Sequence, residues 1–153
     1  MNAPRVFIDT NVFLYAFDKA DPGKSRVASA WIDRLLSEGR ARTGLQVVRE
    51  FYAQARRAQR FGAKSSEIRA AAASLLEWNP IETNAAGIVR AWEIEDLSSI
   101  SWWDALIVAT AEQSGCGYLL TEDLNHGQRY GSVKAVNPFT QPPGGLDKPL
   151  PLN

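Results

Sequence analysis

Residues 101–123, SWWDALIVATAEQSGCGYLLTED, contain a helical pattern followed directly by a strand pattern. Their first part is apolar on nearly all sides and follows a good N-cap at Ser101, so it predicts a buried helix that ends at Gly115. GYLLT, residues 117–121, is a short apolar run that predicts a buried strand. A buried helix that leads directly into a buried strand indicates an α/β protein.

One carboxylate interrupts the apolar part of this helix. Asp104 lies in the first turn, where the helix dipole favours negative charge, and the simplest interpretation is a capping role beside Ser101. A functional interpretation of Asp104 therefore depends on other parts of the chain.

The rest of the sequence alternates strands with helices. RVFID (5–9) and SVKAVNPF (132–139) predict two further strands, and residues 40–44 and 80–83 predict short extended pieces. Helices are predicted at 10–17, 24–39, 45–62 (closed by Gly62), from a cap at Ser65 or Ser66 to Asn79 (with Ala70, Ala73 and Leu76 on one side), and at about 84–97. This order predicts an α/β fold, a three-layer α/β/α sandwich with a central, mostly parallel sheet.

Length and composition indicate one globular domain. The 153 residues divide into a predicted domain at 1–139 and a Pro/Gly-rich tail at 140–153, which we expect to be extended or disordered. Seventeen basic residues balance seventeen acidic ones, so nucleic acid would have to bind a local patch. A single cysteine, Cys116, and the lack of a membrane-spanning run or signal sequence predict a cytoplasmic protein.

Acidic residues follow two of the predicted strands. Asp9 closes VFID and Asp123 lies just past YLLT, and ligands of open parallel sheets bind at such strand ends. Local roles are equally open at this point, since Asp9 can cap the next helix and Asp123 can form an Asx turn. Glu50 lies off the centre of the apolar stripe of its helix, so periodicity does not distinguish it from its neighbours, and a solvent-facing side chain paired with a nearby arginine is the default interpretation.

Together these segments resemble a known family. FIDTNVFLY, VVREFY, SWWDALIVATA and LLTEDLNHG are similar to the four signature segments of the PIN-domain nucleases, over about residues 4–139. The resemblance is closest to the VapC-type ribonuclease toxins of bacterial toxin–antitoxin pairs. It implies a metal-dependent endoribonuclease of the cytoplasm, a cognate antitoxin as partner, and a homodimer, for which the early helices around Trp31 are the expected contact.

The resemblance also implies the site residues. Asp9, Glu50, Asp104 and Asp123 would line an acidic pocket for Mg²⁺ or Mn²⁺, with Asn11 and Thr121 in support. Asn125 stands where some relatives carry a further acid, which weakens the case for a second tightly bound metal ion.

Electrostatics favours a cation at such a pocket. Two carboxylates about 4 Å apart repel by about 1 kcal/mol in water and by about 4 kcal/mol at an effective dielectric constant of about 20. Oxygen ligands suit Mg²⁺ or Mn²⁺, and the chain lacks the Cys/His set that favours zinc.

Substrate contacts are predicted on the long third helix and near Asp104. Possible RNA contacts are Arg49, Arg56, Arg57 and Arg60. Trp102 and Trp103 are candidates for stacking on unpaired bases, although core or interface packing is the commoner role at the edge of a buried helix. For His126, the only histidine, a structural or solvent-facing role is favoured over catalysis.

Three alternatives to the nuclease interpretation are a phosphatase, a receiver domain and a silent binding module. A haloacid-dehalogenase-like phosphatase requires a second Asp where Asn11 stands, and a receiver domain requires an acidic pair before its phosphoacceptor. The strongest rival from another functional class is a catalytically silent PIN-like module that binds RNA or a partner without cutting, and the intact set of four acids argues against it.

Overall fold

The computed structural model describes residues 3–57 and 62–146. Its strands are β1 (Arg5–Ile8), β2 (Ala41–Arg42), β3 (Cys116–Leu120), β4 (Arg129–Tyr130) and β5 (Val133–Val136). Its helices are α1 (Thr10–Phe17), α2 (Pro22–Ser37), α3 (Leu45–Arg56), α4 (Ser65–Leu76), α5 (Ala85–Ser98) and α6 (Trp102–Gln113), followed by a 3₁₀ turn at Pro143–Leu146.

The strands form one sheet in the order β2-β1-β3-β5-β4. All neighbours are parallel except β4, which is antiparallel to β5. Ile8 lies opposite Leu120, and Leu120 lies opposite Val136, so the carboxyl ends of β1, β3 and β5 coincide. The predicted α/β/α fold class is confirmed, and its register brings the residues that follow β1 and β3 to one edge of the sheet.

Burial explains why the central elements form. Three of the four residues of β1 and four of the five residues of β3 are buried, as expected for central parallel strands covered by helices. In α6, every residue from Ala105 to Ala111 is buried. This uniform burial matches the all-round apolar pattern that predicted a core helix.

Two helices differ from their predicted form. α3 ends at Arg56, and Arg57 is extended; Ala55 is the last residue of α3 to be buried. Residues 58–61 of the helix predicted to reach Gly62 lie outside the described residues. α4 begins after Lys64 instead of being capped by Ser65 or Ser66.

The predicted core face of α4 was also wrong. The buried residues are Ile68, Ala72 and Leu75, whereas Leu76 is 51% exposed. The reason is that the larger side chains at 68 and 75 decide which face packs, and the alanines between them carry little directional information.

Trp31 occupies the core instead of the molecular surface. It is fully buried on α2, and its indole N–H donates to the carbonyl of Pro138 at 3.0 Å. Trp31 itself therefore cannot form the expected dimer contact, because its side chain is fully buried within the subunit, whereas a contact through other residues of the early helices stays a prediction.

The C-terminal region also packs against the domain beyond Pro138, at Leu146. Leu146 is buried, and its carbonyl accepts the guanidinium of Arg40 at 2.7 Å. The first part of the predicted tail, residues 140–146, thus contacts the domain, while residues 147–153 lie outside the described residues. No helix in the described ranges is long and apolar enough to cross a membrane.

Candidate active site

A cavity of about 250 Å³ opens where β1 and β3 end. Four side chains predicted from distant parts of the sequence lie on its wall: Asp9, Glu50, Asp104 and Asp123. Asp9 follows β1, Asp123 follows β3, and Glu50 and Asp104 project from α3 and α6. The structure thus brings all four acids to one place.

Asp9 is the buried member of the four, with only 5% of its surface exposed. One carboxylate oxygen accepts the amide of Thr10 at 2.7 Å and caps α1, and the other accepts the hydroxyl of Thr121 at 2.9 Å. The pKa of Asp9 is raised to about 7, mainly by burial and to a smaller extent by the charges of Asp123 and Glu50. The hydrogen bonds from Thr10 and Thr121 lower the pKa and offset only part of this rise.

Asn11 lies between two of the carboxylates. Its side-chain N–H group donates to Asp123 at 3.0 Å and to the hydroxyl of Thr121 at 3.1 Å, and lies 3.5 Å from Asp9. Its carbonyl accepts the amide of Glu122 at 3.3 Å, and the Thr121 hydroxyl accepts the amide of Asp123 at 3.1 Å. Asn11 and Thr121 therefore tie the loop after β3 to the start of α1.

Glu50 reaches the cavity from α3. The hydroxyl of Thr10 donates to one of its oxygens at 3.0 Å, and the side-chain amide of Gln46 donates to the other at 2.9 Å. Glu50 is half-buried, and both of its oxygens are therefore held in place. The solvent-facing interpretation of Glu50, with an arginine as partner, was wrong because α1 packs against α3 at this point.

Asp104 is half-buried in the first turn of α6, and its amide donates to the hydroxyl of Ser101 at 3.1 Å. Burial raises the pKa of the Asp104 carboxyl, hydrogen bonding with Ser101 lowers it, and the charges of Asp123 and Glu50 raise it. Because those two charges act on both Asp9 and Asp104, the four acids form one electrostatic group.

Sequence comparison identifies the family of the chain. The family model of the PIN domain matches residues 6–131, a range that contains all four acids. The chain belongs to the PIN-domain family. PIN domains are generally nucleases, and PIN nucleases typically use divalent metal ions. A search of curated proteins found no match to the chain.

The four acids of this PIN domain line one cavity, but their carboxylates are not arranged as the ligands of a metal ion. Within residues 3–57 and 62–146, no three His, Cys, Asp or Glu side chains stand close enough to hold a metal ion as they are. The amide of Asn11 between Asp9 and Asp123, and the hydroxyl of Thr10 on Glu50, satisfy the carboxylates in this state. The donor set itself, carboxylates with amide and hydroxyl oxygens, is the kind that Mg²⁺ and Mn²⁺ prefer.

Sequence reasoning missed a further acid on the cavity wall of the PIN domain. Glu122 accepts the hydroxyl of Tyr15 at 2.8 Å and forms an ion pair with Lys24 at 3.2 Å. Lys24 also lies over the rings of Tyr15 and Phe139, at 4.4 and 4.8 Å from their centroids. The only signal was the neighbouring acids of the TED sequence, which gave no way to choose between Glu122 and Asp123.

The predicted RNA-contacting arginines have different surroundings. Arg49 pairs with Glu82 at 3.0 Å, and both side chains are about two-thirds exposed, at 66% and 64%. Arg57 lines a second cavity next to the acidic one, and Arg56 is exposed on the last turn of α3. Arg60 lies outside the described residues.

The two neighbouring tryptophans differ as well. Trp102 is half-buried and stacks against Trp92, with ring centroids 6.4 Å apart. Trp103 is 63% exposed and lies on the wall of the acidic cavity. A packing role therefore fits Trp102 and does not fit Trp103.

The remaining candidates have structural surroundings. His126 accepts the amide of Asn137 on Nδ1 at 3.0 Å, which fits the structural role favoured for it. Asn125 donates its side-chain amide to Gln128 at 2.9 Å. Cys116 is buried, and burial raises the pKa of its thiol to about 12, so it remains a neutral thiol at physiological pH.

Proposed function

We propose that this PIN domain is a metal-dependent endoribonuclease, with Asp9, Glu50, Asp104 and Asp123 as its catalytic acids and Mg²⁺ or Mn²⁺ as its cofactor. The observation that supports this most is the convergence of these four side chains on one cavity from β1, α3, α6 and the loop after β3. Clustered acids repel one another, so a protein that gathers four of them favours a bound cation.

Asp9 supports the presence of a cation most directly. It is buried, and its pKa is raised to about 7, so the hydrogen bonds from Thr10 and Thr121 offset only part of the cost of ionising it. A cation would offset the rest of that cost and favour the ionised form. Asp9 and Asp123, which the side-chain amide of Asn11 bridges, are the two carboxylates that would hold such a cation.

The chain's own residues would then orient the site. Thr121 holds Asp9, while Thr10 and Gln46 hold Glu50, so these acids keep their positions when RNA arrives. When bound, a divalent cation lowers the pKa of water and stabilises the leaving oxygen of a phosphodiester. Asp104 and Asp123, which are more exposed than Asp9, face the side from which substrate enters.

Basic residues beside the cavity would attract the RNA. The chain has no net charge, so binding depends on local cations, and Arg49, Arg56 and Arg57 are exposed on α3 and just after it. The pair between Arg49 and Glu82 is exposed, and such pairs contribute at most about 1 kcal/mol, so a phosphate can replace Glu82. Arg60, which lies outside the described residues, stays a possible RNA contact predicted from the sequence.

The biological setting is proposed from the family resemblance. We infer a VapC-type toxin of the cytoplasm, held in check by a cognate antitoxin, and a homodimer that uses a surface other than Trp31. Growth arrest on expression of the wild-type chain, absent for an equally expressed Asp104→Ala variant, would be expected.

A catalytically silent RNA- or partner-binding module is the second candidate. It is favoured by one observation, that the described acids do not form a ready-made metal site. The two candidates differ in whether the acids close on a cation, which an activity assay can decide.

That assay is cleavage of single-stranded RNA by the purified protein. We expect cleavage with Mg²⁺ or Mn²⁺, none with EDTA, and none by Asp104→Asn. Asp33→Asn, which changes an exposed acid on α2 outside the cavity, is the control and should cut like wild type. A wild type that binds RNA without cutting it in either metal would support the silent module instead.

A further inference from the structure

A second, larger cavity adjoins the acidic one. Its volume is about 780 Å³, and it shares Glu50, Gln54 and Trp103 with the acidic cavity. Such a volume falls in the range of sites that hold a ligand of nucleotide size. The two cavities therefore form one continuous depression, with the acids at one end and Trp103 at the junction.

The junction presents an aromatic ring to solvent. Trp103 directly precedes Asp104 in α6, yet 63% of its surface is exposed, whereas the neighbouring Trp102 packs against Trp92. Leu106 and Ile88 extend the apolar wall behind Trp103. An exposed indole beside a reactive site offers a flat surface on which an unpaired base can stack.

The opposite wall of the second cavity carries charge. Arg49 and Arg57 line it from α3 and from the residue after that helix, together with two acids, Glu82, which pairs with Arg49, and Glu50 at the junction with the acidic cavity. Two cations facing an aromatic wall fit a ligand with a flat apolar part and an anionic backbone. A protein partner would need less positive charge here and a larger continuous apolar patch.

We propose that the second cavity binds the unpaired nucleotide next to the cleaved phosphodiester, with its base stacked on Trp103 and its backbone phosphates beside Arg49 and Arg57. This proposal rests on the proposed ribonuclease function and makes it more specific. It means that the favoured substrate is single-stranded at this position, because a base in a duplex would first have to be unpaired and unstacked before it could stack on a side chain. It also means that recognition at this position tolerates different bases, since every base has a flat face.

The test compares RNA with and without bases. The Asp104→Asn background, expected to bind without cutting, is titrated with end-labelled oligouridylate and with an abasic oligoribonucleotide of the same length, and anisotropy is recorded. Trp103→Ala should lower the affinity for oligouridylate by about tenfold or more and leave the affinity for the abasic strand unchanged. Trp103→Phe should restore most of the loss, because it keeps an aromatic face.

Two further variants sharpen the comparison. Leu97→Ala removes another exposed apolar side chain, 81% exposed, that lines neither cavity, and should leave both affinities unchanged. Glu82→Gln frees Arg49 and should raise the affinity for both strands, by an amount that shrinks as salt is added. Since all three substituted side chains are more than half exposed, thermal unfolding should confirm that each variant folds.

The possible outcomes distinguish a failure of base stacking on Trp103 from a failure of the proposed ribonuclease function. If Trp103→Ala binds oligouridylate as tightly as its parent, or weakens both strands equally, base stacking is overturned, and the cavity is left to a protein partner. If the wild type then still cuts RNA in Mg²⁺ or Mn²⁺, the proposed function stands without this subsite. If the wild type neither cuts nor binds RNA, the function and the subsite fall together.

Discussion

Thr121 and Asp9 lie 112 positions apart in the sequence, and the Thr121 hydroxyl donates to the Asp9 carboxylate at 2.9 Å. The same hydroxyl accepts the amide of Asp123 and the side chain of Asn11. Thr121 is fully buried, so this one oxygen connects the ends of β1 and β3 without competition from water. The site therefore depends on a side chain that is not itself an acid.

Replacing Thr121 by valine should destabilise the fold and shift the pH dependence of cleavage. Valine keeps the shape but removes a donor to Asp9 and an acceptor for Asp123, at a cost of about 1–3 kcal/mol in unfolding free energy. Because the Thr121 hydrogen bond lowers the pKa of Asp9, its loss should raise that pKa and move the acid limb of the pH–rate profile to higher pH. Thr121→Ser keeps the hydroxyl and should resemble wild type; a valine variant with an unchanged acid limb would contradict this role.

The metal-free protein should lose stability as pH rises through neutrality. In the folded state Asp9 stays protonated up to a pKa of about 7, whereas in the unfolded chain it ionises near 3.8. Between these values the folded state binds one more proton, so its stability falls with rising pH, on the order of a few kcal/mol in total.

Asp9→Asn isolates that contribution. Thermal unfolding in EDTA at about pH 4 and about pH 8 should show a smaller decrease for the variant than for wild type. Asparagine keeps an oxygen that can accept the Thr10 amide, so loss of the helix cap should not mask the effect. An identical decrease for both proteins would mean that Asp9 is not the group that titrates.

Neighbouring acids on the cavity wall should differ in importance. The carboxylate of Glu122 is already bound by Tyr15 and Lys24, whereas that of Asp123 is exposed beside Asn11. Substitution of a residue that only supports metal ligands typically reduces activity by about 10–100-fold. Asp123→Asn should therefore reduce cleavage by more than this factor, and Glu122→Gln should reduce it by less. The measurement is kcat/KM on single-stranded RNA. Equal losses would place Glu122 in the catalytic set.

Trp31 should stabilise the subunit without affecting its assembly. Trp31→Phe removes the hydrogen bond to Pro138 and leaves a void, which should lower the unfolding free energy by about 1–3 kcal/mol. Light scattering should give the same mass for variant and wild type at a temperature where both are folded. A folded variant with a lower mass than wild type would return Trp31 to the dimer contact.

Much of the fold could be predicted because the decisive segments are long or strongly patterned. The run from Ala105 to Ala111 is apolar at every position apart from Thr110, and only a buried helix accommodates it. The sequence did not predict β4, because a strand of two residues, Arg129 and Tyr130, is too short to show an alternating hydrophobic pattern. The predicted buried face of α4 was wrong for a related reason, since consecutive alanines do not distinguish one face of a helix from another.

The candidate site was predicted by a different route from the fold. Asp9 and Asp123 follow from strand ends and parallel topology, which physical reasoning supplies. Glu50 did not follow, because its position depends on how the Thr10 hydroxyl on α1 meets α3, a contact that no local pattern encodes. Resemblance to the PIN family supplied Glu50 at the sequence level, and nothing at that level indicated Glu122 or the exposure of Trp103.

Direct titration of Mn²⁺ into the purified protein tests most sharply whether these acids share a cation. Wild type near neutral pH should bind Mn²⁺ with release of a proton, because metal binding ionises Asp9, and Asp9→Asn should lose both the binding and the proton release. Comparing two buffers with different ionisation enthalpies in calorimetry counts that proton. Equal Mn²⁺ binding by wild type and Asp9→Asn, or no binding by either, would contradict a shared cation in this cavity.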